Sequence, residues 1–250
     1  MPTLRPLATA LALSACTTVA SATVLIDTFS DAATTSYTNS GLFESAAAQS
    51  GTMIGGARFD GLLCFFACDY NPPFHATLVV GNGALTVTPP PAGLATTRVL
   101  WGDVSPNSTV FPLAGLGLDL SGEGAFELKF TGISAPLLVQ FVVVSAGGQS
   151  DYRPVLNNPG VVLQAGGAQT LMLPFSGFVG AGQFAAIKGL GVVLGGNNGF
   201  GTEAALANFS LDSVTAVATP IPEPATVAMW LAGLLGLGVM TAARRQPKLG

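Results

Sequence analysis

The C-terminal end of the chain contains an uncharged apolar stretch, Ala225 to Ala243, that restricts the chain more than any other feature. At about 1.5 Å per residue, a helix of this length measures roughly 28 Å, which is close to the hydrocarbon thickness of a bilayer. Arg244 and Arg245 follow the stretch directly, and such charges resist transfer across a membrane. We therefore expect one C-terminal transmembrane helix, with the arginine pair as its cytoplasmic stop.

A glutamate between two prolines, Pro222-Glu223-Pro224, lies immediately before the apolar stretch. Proline has no backbone N–H, so the helix does not continue towards the N-terminus through Pro222 or Pro224. Glu223 keeps this short segment at the water boundary, where a protease can reach it. These elements predict that residues 220–250 form a sorting and membrane-anchor segment outside the folded domain.

The N-terminus has the pattern of a secretory signal peptide. Arg5 supplies a positive start, an apolar run follows, and small residues end in Ala20-Ser21-Ala22, which has the form of an A-x-A cleavage site. Cleavage after Ala22 removes residues 1–22 and leaves residues 23–219 as the exported body. A body of this length can bury one substantial core.

The same segment has a second interpretation, because Leu13-Ser14-Ala15-Cys16 has the form of a bacterial lipobox. Cys16 would then carry the lipid and become the first mature residue. An acyl anchor at this end would duplicate a tail that already spans the membrane, which favours cleavage after Ala22. The mass of the membrane-bound form distinguishes the two alternatives.

Charge is scarce in this chain, and most of it is negative. The chain has nine Lys and Arg residues and thirteen Asp and Glu residues. Five of the basic residues and all thirteen acidic residues lie within residues 23–223, so the exported part carries a formal charge of −8. A surface of this sign repels phosphate backbones. Nucleic acid is therefore not expected as a partner.

Two cysteines, Cys64 and Cys68, remain after removal of the signal peptide. In an oxidising compartment they can close a small disulfide loop. The alternative is a pair of free cysteines that are buried as small apolar residues. A zinc site is not expected, because His75 is the single histidine of the chain and there is no second cysteine pair.

The body has the residue alternation of an all-β protein. Two apolar runs, residues 76–80 and 84–88, flank Gly81-Asn82-Gly83, which predicts a β-hairpin. Residues 126–131 alternate between apolar and polar, as in a strand with one face in water. Leu137 to Val144 is almost entirely apolar and predicts a central strand that is covered on both faces.

Further strands are predicted between segments rich in Gly, Asn and Pro. They are Val161 to Leu163, Thr170 to Leu173, Ile187 to Leu194 and Leu206 to Val217. No amphipathic helix and no repeat of fixed period is evident in the body. Short strands at this spacing predict one domain, a β-sandwich of jelly-roll type.

The order of Pro-Glu-Pro, an apolar span and a short arginine-rich end resembles the PEP-CTERM sorting signal of exported proteins in Gram-negative bacteria. The similar segment is VATPIPEPATVAMWLAGLLGLGVMTAARRQ. The resemblance implies recognition and processing by an exosortase, in organisms that commonly make exopolysaccharide and biofilm. It implies that the body faces the periplasm from the inner membrane before processing, and is then at the cell surface or extracellular.

A second resemblance covers the C-terminal half of the body. Residues 171–178, 187–192 and 208–214 are similar to the last strands of galactose-binding-like jelly rolls and of several carbohydrate-binding modules. This resemblance implies a structural calcium near Asp212 of the last strand and Asp27 of the first. Calcium takes about six to eight oxygen ligands, so the alternative is a surface aspartate at the end of each strand. No other cofactor is indicated.

The sequence contains no constellation of residues that predicts an enzyme. His75 stands alone after two prolines, and no spacing pairs two carboxyl groups across a cleft.

Two hypotheses for the body remain, namely a structural or adhesive surface protein and a carbohydrate-binding module. The second needs exposed aromatic rings that stack on sugars. The candidate residues for such a platform are Trp101, Tyr70, Tyr152 and Phe200.

Overall fold

The body of the chain folds as an all-β sandwich of two antiparallel sheets, which confirms the predicted class. The computed structural model describes residues 23–31, 33–36, 44–66, 77–88, 94–103, 114–152, 160–195 and 207–218. Fifteen strands lie in this part of the chain, and the only helical elements there are two single 3-10 turns, Ile54–Gly56 and Phe175–Gly177.

Sheet 1 has seven strands. They are β1 (Val24–Asp27), β2 (Ala33–Ser36), β5 (Thr77–Gly81), β6 (Ala84–Thr88), β8 (Ala125–Thr131), β12 (Gln169–Pro174) and β15 (Phe209–Val217). Their order across the sheet is β12-β8-β15-β6-β5-β2. On one side of β15, β6 pairs with residues 209–211 and β1 with residues 214–216.

Sheet 2 has eight strands. They are β3 (Glu44–Ser50), β4 (Ala57–Phe66), β7 (Leu94–Gly102), β9 (Leu137–Ser145), β10 (Gly148–Tyr152), β11 (Val161–Leu163), β13 (Phe178–Gly180) and β14 (Ile187–Gly195). Their order is β13-β10-β9-β14-β7-β4-β3, and β11 pairs with one end of β9. The predicted central strand is β9, which lies between β10 and β14.

The core lies between the two sheets and forms one contiguous apolar cluster. Strand β8 shows how the sequence builds it. Phe126, Leu128 and Phe130 are buried, whereas Glu127 and Thr131 are half-buried and Lys129 is exposed. Each large apolar side chain that is removed from water in this way contributes about 1.5–3 kcal/mol to folding.

The predicted hairpin is confirmed as β5 and β6, with Gly81 paired to Ala84. The two residues of the loop, Asn82 and Gly83, have φ of 55° and 80°. Positive φ at both positions is the geometry of a type I′ turn, which suits Asn-Gly because the twist of that turn matches the twist of the strands. The local sequence is therefore sufficient to specify this hairpin.

Strand β4 has no alternation that a sequence analysis could detect. Its residues from Arg58 to Leu62 are all buried, so both faces of the strand are covered. A period of two appears only when one face is in water. This explains why β4 was not predicted, although it pairs with β3 and β7.

By contacts between α-carbon atoms, the chain divides into two units, residues 1–218 and 219–250. The second unit lies outside the described residues. In the part of the chain that the structure describes, no helix has the length and apolarity needed to cross a membrane.

Candidate functional site

A cluster of charged side chains lies inside the sandwich and joins the two sheets. We call Asp27, Arg58, Asp60 and Trp101 the buried charge cluster. Arg58 and Asp60 are two residues apart on β4, so they share its inner face. Trp101 on β7 lies directly opposite Arg58 in the strand register. Asp27 is the last residue of β1 and reaches the cluster from sheet 1.

Hydrogen bonds satisfy every carboxylate oxygen of this cluster. Arg58 Nη1 donates to Asp27 Oδ2 at 2.7 Å, and Arg58 Nε donates to the two oxygens of Asp60 at 2.7 and 2.9 Å. Trp101 Nε1 donates to Asp27 Oδ2 at 2.8 Å. The backbone N–H of Phe29 donates to Asp27 Oδ1 at 2.6 Å. Asp27 thus receives bonds from three separate segments of the chain.

Burial and ion pairing shift the pKa values of the cluster in opposite directions. Two carboxyl groups face one guanidinium, so the cluster has a net negative charge when all three are ionised. Burial raises the pKa of Asp60 to about 6 from the ordinary 3.8, and the attraction of Arg58 offsets only part of this effect. Burial also opposes the charge on Arg58, but Asp60 and Asp27 outweigh it and raise the pKa of the guanidinium.

Phe29 beside the cluster has a backbone conformation that few bulky residues adopt. Its φ is 53°, in the left-handed region, which costs of order 1–3 kcal/mol outside glycine. The hydrogen bond to Asp27 holds this turn. The fully buried Phe29 ring packs 5.2 Å from the Arg58 guanidinium carbon and 6.5 Å from the centre of the Trp101 ring. The cluster therefore also fixes the path of the chain after β1.

The buried charge cluster is closed to solvent. The exposed fractions of Asp27, Arg58, Asp60 and Trp101 are between 0 and 2%. A substrate or ligand cannot reach these groups without opening the sandwich. We therefore assign the cluster a structural task, which is to tie the N-terminal strand β1 to sheet 2. Arg58 Nη2 is the one nitrogen of this guanidinium without a hydrogen-bond partner among the described groups.

The placement of Trp101 corrects one prediction from the sequence. Trp101 was a candidate for an exposed sugar-binding platform, but it is fully buried and its indole N–H bonds to Asp27. The prediction was wrong because composition does not distinguish a core tryptophan from a surface one. Tyr70 and Phe200 lie outside the described residues.

Asp27 and Asp212, the pair that was expected near a calcium ion, have separate sets of partners. Asp27 is compensated by Arg58, as described above. Asp212 Oδ1 accepts hydrogen bonds from the hydroxyls of Thr131 and Ser210, each at 3.2 Å. Among the described residues, no group of three or more His, Cys, Asp or Glu side chains could hold a metal ion. These contacts give the calcium hypothesis no support.

Arg58 and Asp60 are the structural residues that the sequence analysis missed. A signal for them exists in Ala57-Arg58-Phe59-Asp60-Gly61-Leu62, where an arginine and an aspartate are two residues apart within an apolar run. That spacing places both charges on one face of a strand. The sequence does not reveal that this face is the inner one, or that Asp27 lies opposite.

A group of aromatic side chains lies on one side of the sandwich. We call this group the aromatic side cluster, and it consists of Phe126, Phe141, Tyr152, Phe175, Phe178 and Phe184. Phe126 and Phe141 are fully buried, and the other four rings are half-buried. Phe175 and Phe184 are stacked with ring centres 3.9 Å apart, and Tyr152 meets Phe178 edge-on at 5.2 Å. Tyr152 is thus the one proposed platform residue that keeps partial exposure in the described part.

Several predicted sites fall outside the described residues. They are Cys16, Ala20, Ala22, Cys68, His75, Pro222, Glu223, Pro224, Arg244 and Arg245. Cys64 lies on β4, where its backbone pairs with Ala95. The disulfide between Cys64 and Cys68, the signal cleavage site and the lipid on Cys16 therefore stay predictions.

Solved structures with a similar arrangement of strands are distant from this chain. The family 11 carbohydrate-binding module of the cellulosomal cellulase Lic26A-Cel5E of Clostridium thermocellum is 13% identical, with 80% of this chain and 96% of that chain covered and a TM-score of 0.39. CBM28, a carbohydrate-binding module specific for non-crystalline cellulose, is 7% identical, with coverages of 70% and 82% and a TM-score of 0.35. Similarity at this level does not indicate a function for this chain. No curated protein sequence matches this chain.

The C-terminal segment, in contrast, matches a protein family model. The PEP-CTERM protein-sorting motif matches residues 220–246, which confirms the resemblance seen in the sequence. This match covers the Pro-Glu-Pro segment, the apolar span and the arginine pair. The motif indicates an exported protein that is anchored by its C-terminus and sorted by an exosortase, and this chain carries the motif in residues 220–246.

Proposed function

We propose that this chain is a non-enzymatic surface or extracellular-matrix protein of a Gram-negative bacterium, which an exosortase processes and which acts together with exopolysaccharide. The signal peptide, residues 1–22, directs export. The C-terminal segment holds the protein in the inner membrane with the body facing the periplasm. Processing near Pro222-Glu223-Pro224 then releases or transfers the body to the cell surface.

The match of residues 220–246 to the sorting motif is the observation that carries this proposal. Three unlike elements occur in one order within it, and this order is more specific than an apolar tail alone. An apolar span with a cationic end explains anchoring. It does not explain a glutamate between two prolines just before the span, whereas recognition by a processing enzyme does.

The sorting step is tested in a host that contains an active exosortase. The full-length chain and the variants Glu223→Gln and Glu127→Gln are expressed, and the mature mass and the cell fraction are measured. We expect Glu223→Gln to keep the full-length C-terminus in the membrane, and Glu127→Gln, a control on the body, to be processed normally. An intact C-terminus in the unmodified chain, despite active exosortase, would contradict the proposal.

We propose that the body has a structural or adhesive function and does not catalyse a reaction. Its two carboxyl groups that approach each other inside the sandwich, Asp27 and Asp60, are sealed between the sheets. A pair of carboxyls must contact substrate to act as acid and base. This burial supports a structural or adhesive task for the sandwich.

A second candidate function, glycan binding by the body, has one observation in its favour. Tyr152, Phe175, Phe178 and Phe184 lie together on one side of the sandwich, and each of these residues is half-buried. Sugars stack their apolar faces on such rings. The alternative explanation is that these rings only close the sandwich, since all four also pack against the core.

Glycan binding is tested with the full-length protein in detergent and the polysaccharide of the producing organism. Tyr152→Ala removes a half-buried ring, Tyr152→Phe keeps it, and Met172→Ala removes an exposed apolar side chain elsewhere. If the cluster binds sugar, Tyr152→Ala lowers retention at least about fivefold, since stacking contributes roughly 1 kcal/mol or more, while the two controls retain it. Equal retention by all variants, or none by the unmodified chain, would leave the structural task as the function of the body.

A further inference from the structure

The last strand of the described body, β15, is an internal strand and not an edge strand. Seven of its residues pair with β8 on one side. On the other side it pairs with β6 and then with β1. Its inward side chains Phe209, Leu211, Val214 and Ala216 are buried in the core. The strand cannot leave the sheet without the loss of its ladders with β8, β6 and β1 and of part of the core.

Both ends of the body's chain lie at one end of sheet 1. Val24 at the start of β1 pairs with Ala216 near the end of β15. Gly124 in the turn before β8 donates its N–H to the carbonyl of Val217 at 2.9 Å, at the same end. The opposite end contains the turn around Gly167, because Gly166 pairs with Ile133 and Gln169 with Phe130.

This arrangement makes resistance to force depend on direction. In antiparallel pairs the hydrogen bonds are perpendicular to the strands. A force along β15, applied between its C-terminal end and the far end of the sheet, loads the pairs with β8 together. A force between the start of β1 and the end of β15 pulls the two strands apart from one end, so their pairs break one after another.

We propose that the sandwich is a directional mechanical link, which resists a pull on its C-terminal strand against the far end of sheet 1. The inference rests on the proposed function, because attachment through the C-terminus is what applies a load to β15. An edge strand would be held against the same load by a ladder on one side only. The internal strand β15 is held by ladders on both sides.

The test is single-molecule force spectroscopy on the full-length chain in detergent, with an azide-bearing amino acid at two positions for the handles. One pair is Gly167 and Ala218, which loads β15 along its axis, and the other is Leu25 and Ala218, which opens β1 from β15. Gly167 is exposed, and an added side chain there meets no atom within 4 Å. Leu25 is 53% exposed. Ala168, also exposed, is the second choice if the Gly167 variant does not fold.

We expect the first pair to need about twofold or more of the force of the second at the same loading rate. The load passes from β12 to β8 through six residue pairs and from β8 to β15 through seven, and the pairs of each ladder are loaded together. Equal forces, or a lower force for the first pair, would overturn the inference. These forces are measured on the isolated protein. A failure of this inference is therefore distinguishable from a failure of the proposed sorting, which appears as an unchanged mature mass.

Discussion

Asp60 is the group whose titration should control the stability of the body. Its carboxyl is buried on β4 beside a single guanidinium that also serves Asp27. The variant Asp60→Asn keeps the shape of the side chain and an oxygen that can accept the Arg58 Nε bond, but it does not ionise. Comparison of the two proteins over pH therefore isolates the cost of a negative charge at this position.

The sign follows from the direction of the shift. The pKa of Asp60 is raised from 3.8 to about 6 in the folded protein, with burial as the largest cause. The folded state thus holds this proton more tightly than the unfolded state, and stability decreases as pH rises from about 4 to about 6. At ~1.4 kcal/mol for each tenfold change in proton affinity, the loss is about 3 kcal/mol. Below and above this window the contribution of Asp60 is constant.

The assay is urea denaturation of the full-length chain in detergent at pH 4, 5, 6 and 7. Trp101 is buried within the cluster, so its fluorescence reports the unfolding of the sandwich, and Trp230→Phe in both proteins removes the second tryptophan. We expect the free energy of unfolding of the parent, minus that of Asp60→Asn, to fall by about 2 kcal/mol between pH 4 and pH 7, because the unfolded carboxyl is already more than half ionised at pH 4. The subtraction cancels the other carboxyl groups.

Two outcomes would refute the reasoning about this cluster. If the difference rises with pH, the attraction of Arg58 exceeds the cost of burial, and the pKa of Asp60 lies below its ordinary value in the folded state. If the difference stays constant, Asp60 has the same pKa in the folded and the unfolded state. Either result would mean that burial is not the dominant influence on this carboxyl.

Three further predictions concern single contacts. Trp101→Phe removes the N–H that bonds to Asp27 and should cost about 1–3 kcal/mol in urea denaturation; a neutral result would mean that the bond contributes nothing. Arg58→Met leaves two buried carboxyls without a counter-charge and should cost about 3–5 kcal/mol at pH 7, but less at pH 4, where Asp60 is protonated; a pH-independent cost would contradict this. Gly83→Ala should lower the free energy of unfolding by about 1–2 kcal/mol, because Gly83 has φ of 80° and alanine is strained there. The added carbon itself meets no clash, since the nearest atom is 3.9 Å away. Gly167→Ala, in open space, is the control that should show no loss.

Much of the candidate site could not be predicted from the sequence, because its contacts join distant residues. Arg58 and Asp27 are 31 positions apart and Trp101 and Asp27 are 74 apart. Alternation along a strand tells which side chains share a face, but not which face is covered. The same limit explains why the sequence does not place Trp101 in the core, and why it does not reveal strand β4, which is buried on both faces.

Local chemistry was sufficient for other features. Asn82-Gly83 specifies its turn because both residues accept positive φ, and residues 126–131 show their inner face by simple alternation. The sorting motif in residues 220–246 depends on the order of neighbouring residues alone and needs no tertiary contact. The tertiary structure alone decided which strands lie across the core from each other. It thereby placed Arg58 between Asp27 and Asp60. A buried charge is stable only where partners from separate strands converge on it, because desolvation is costly.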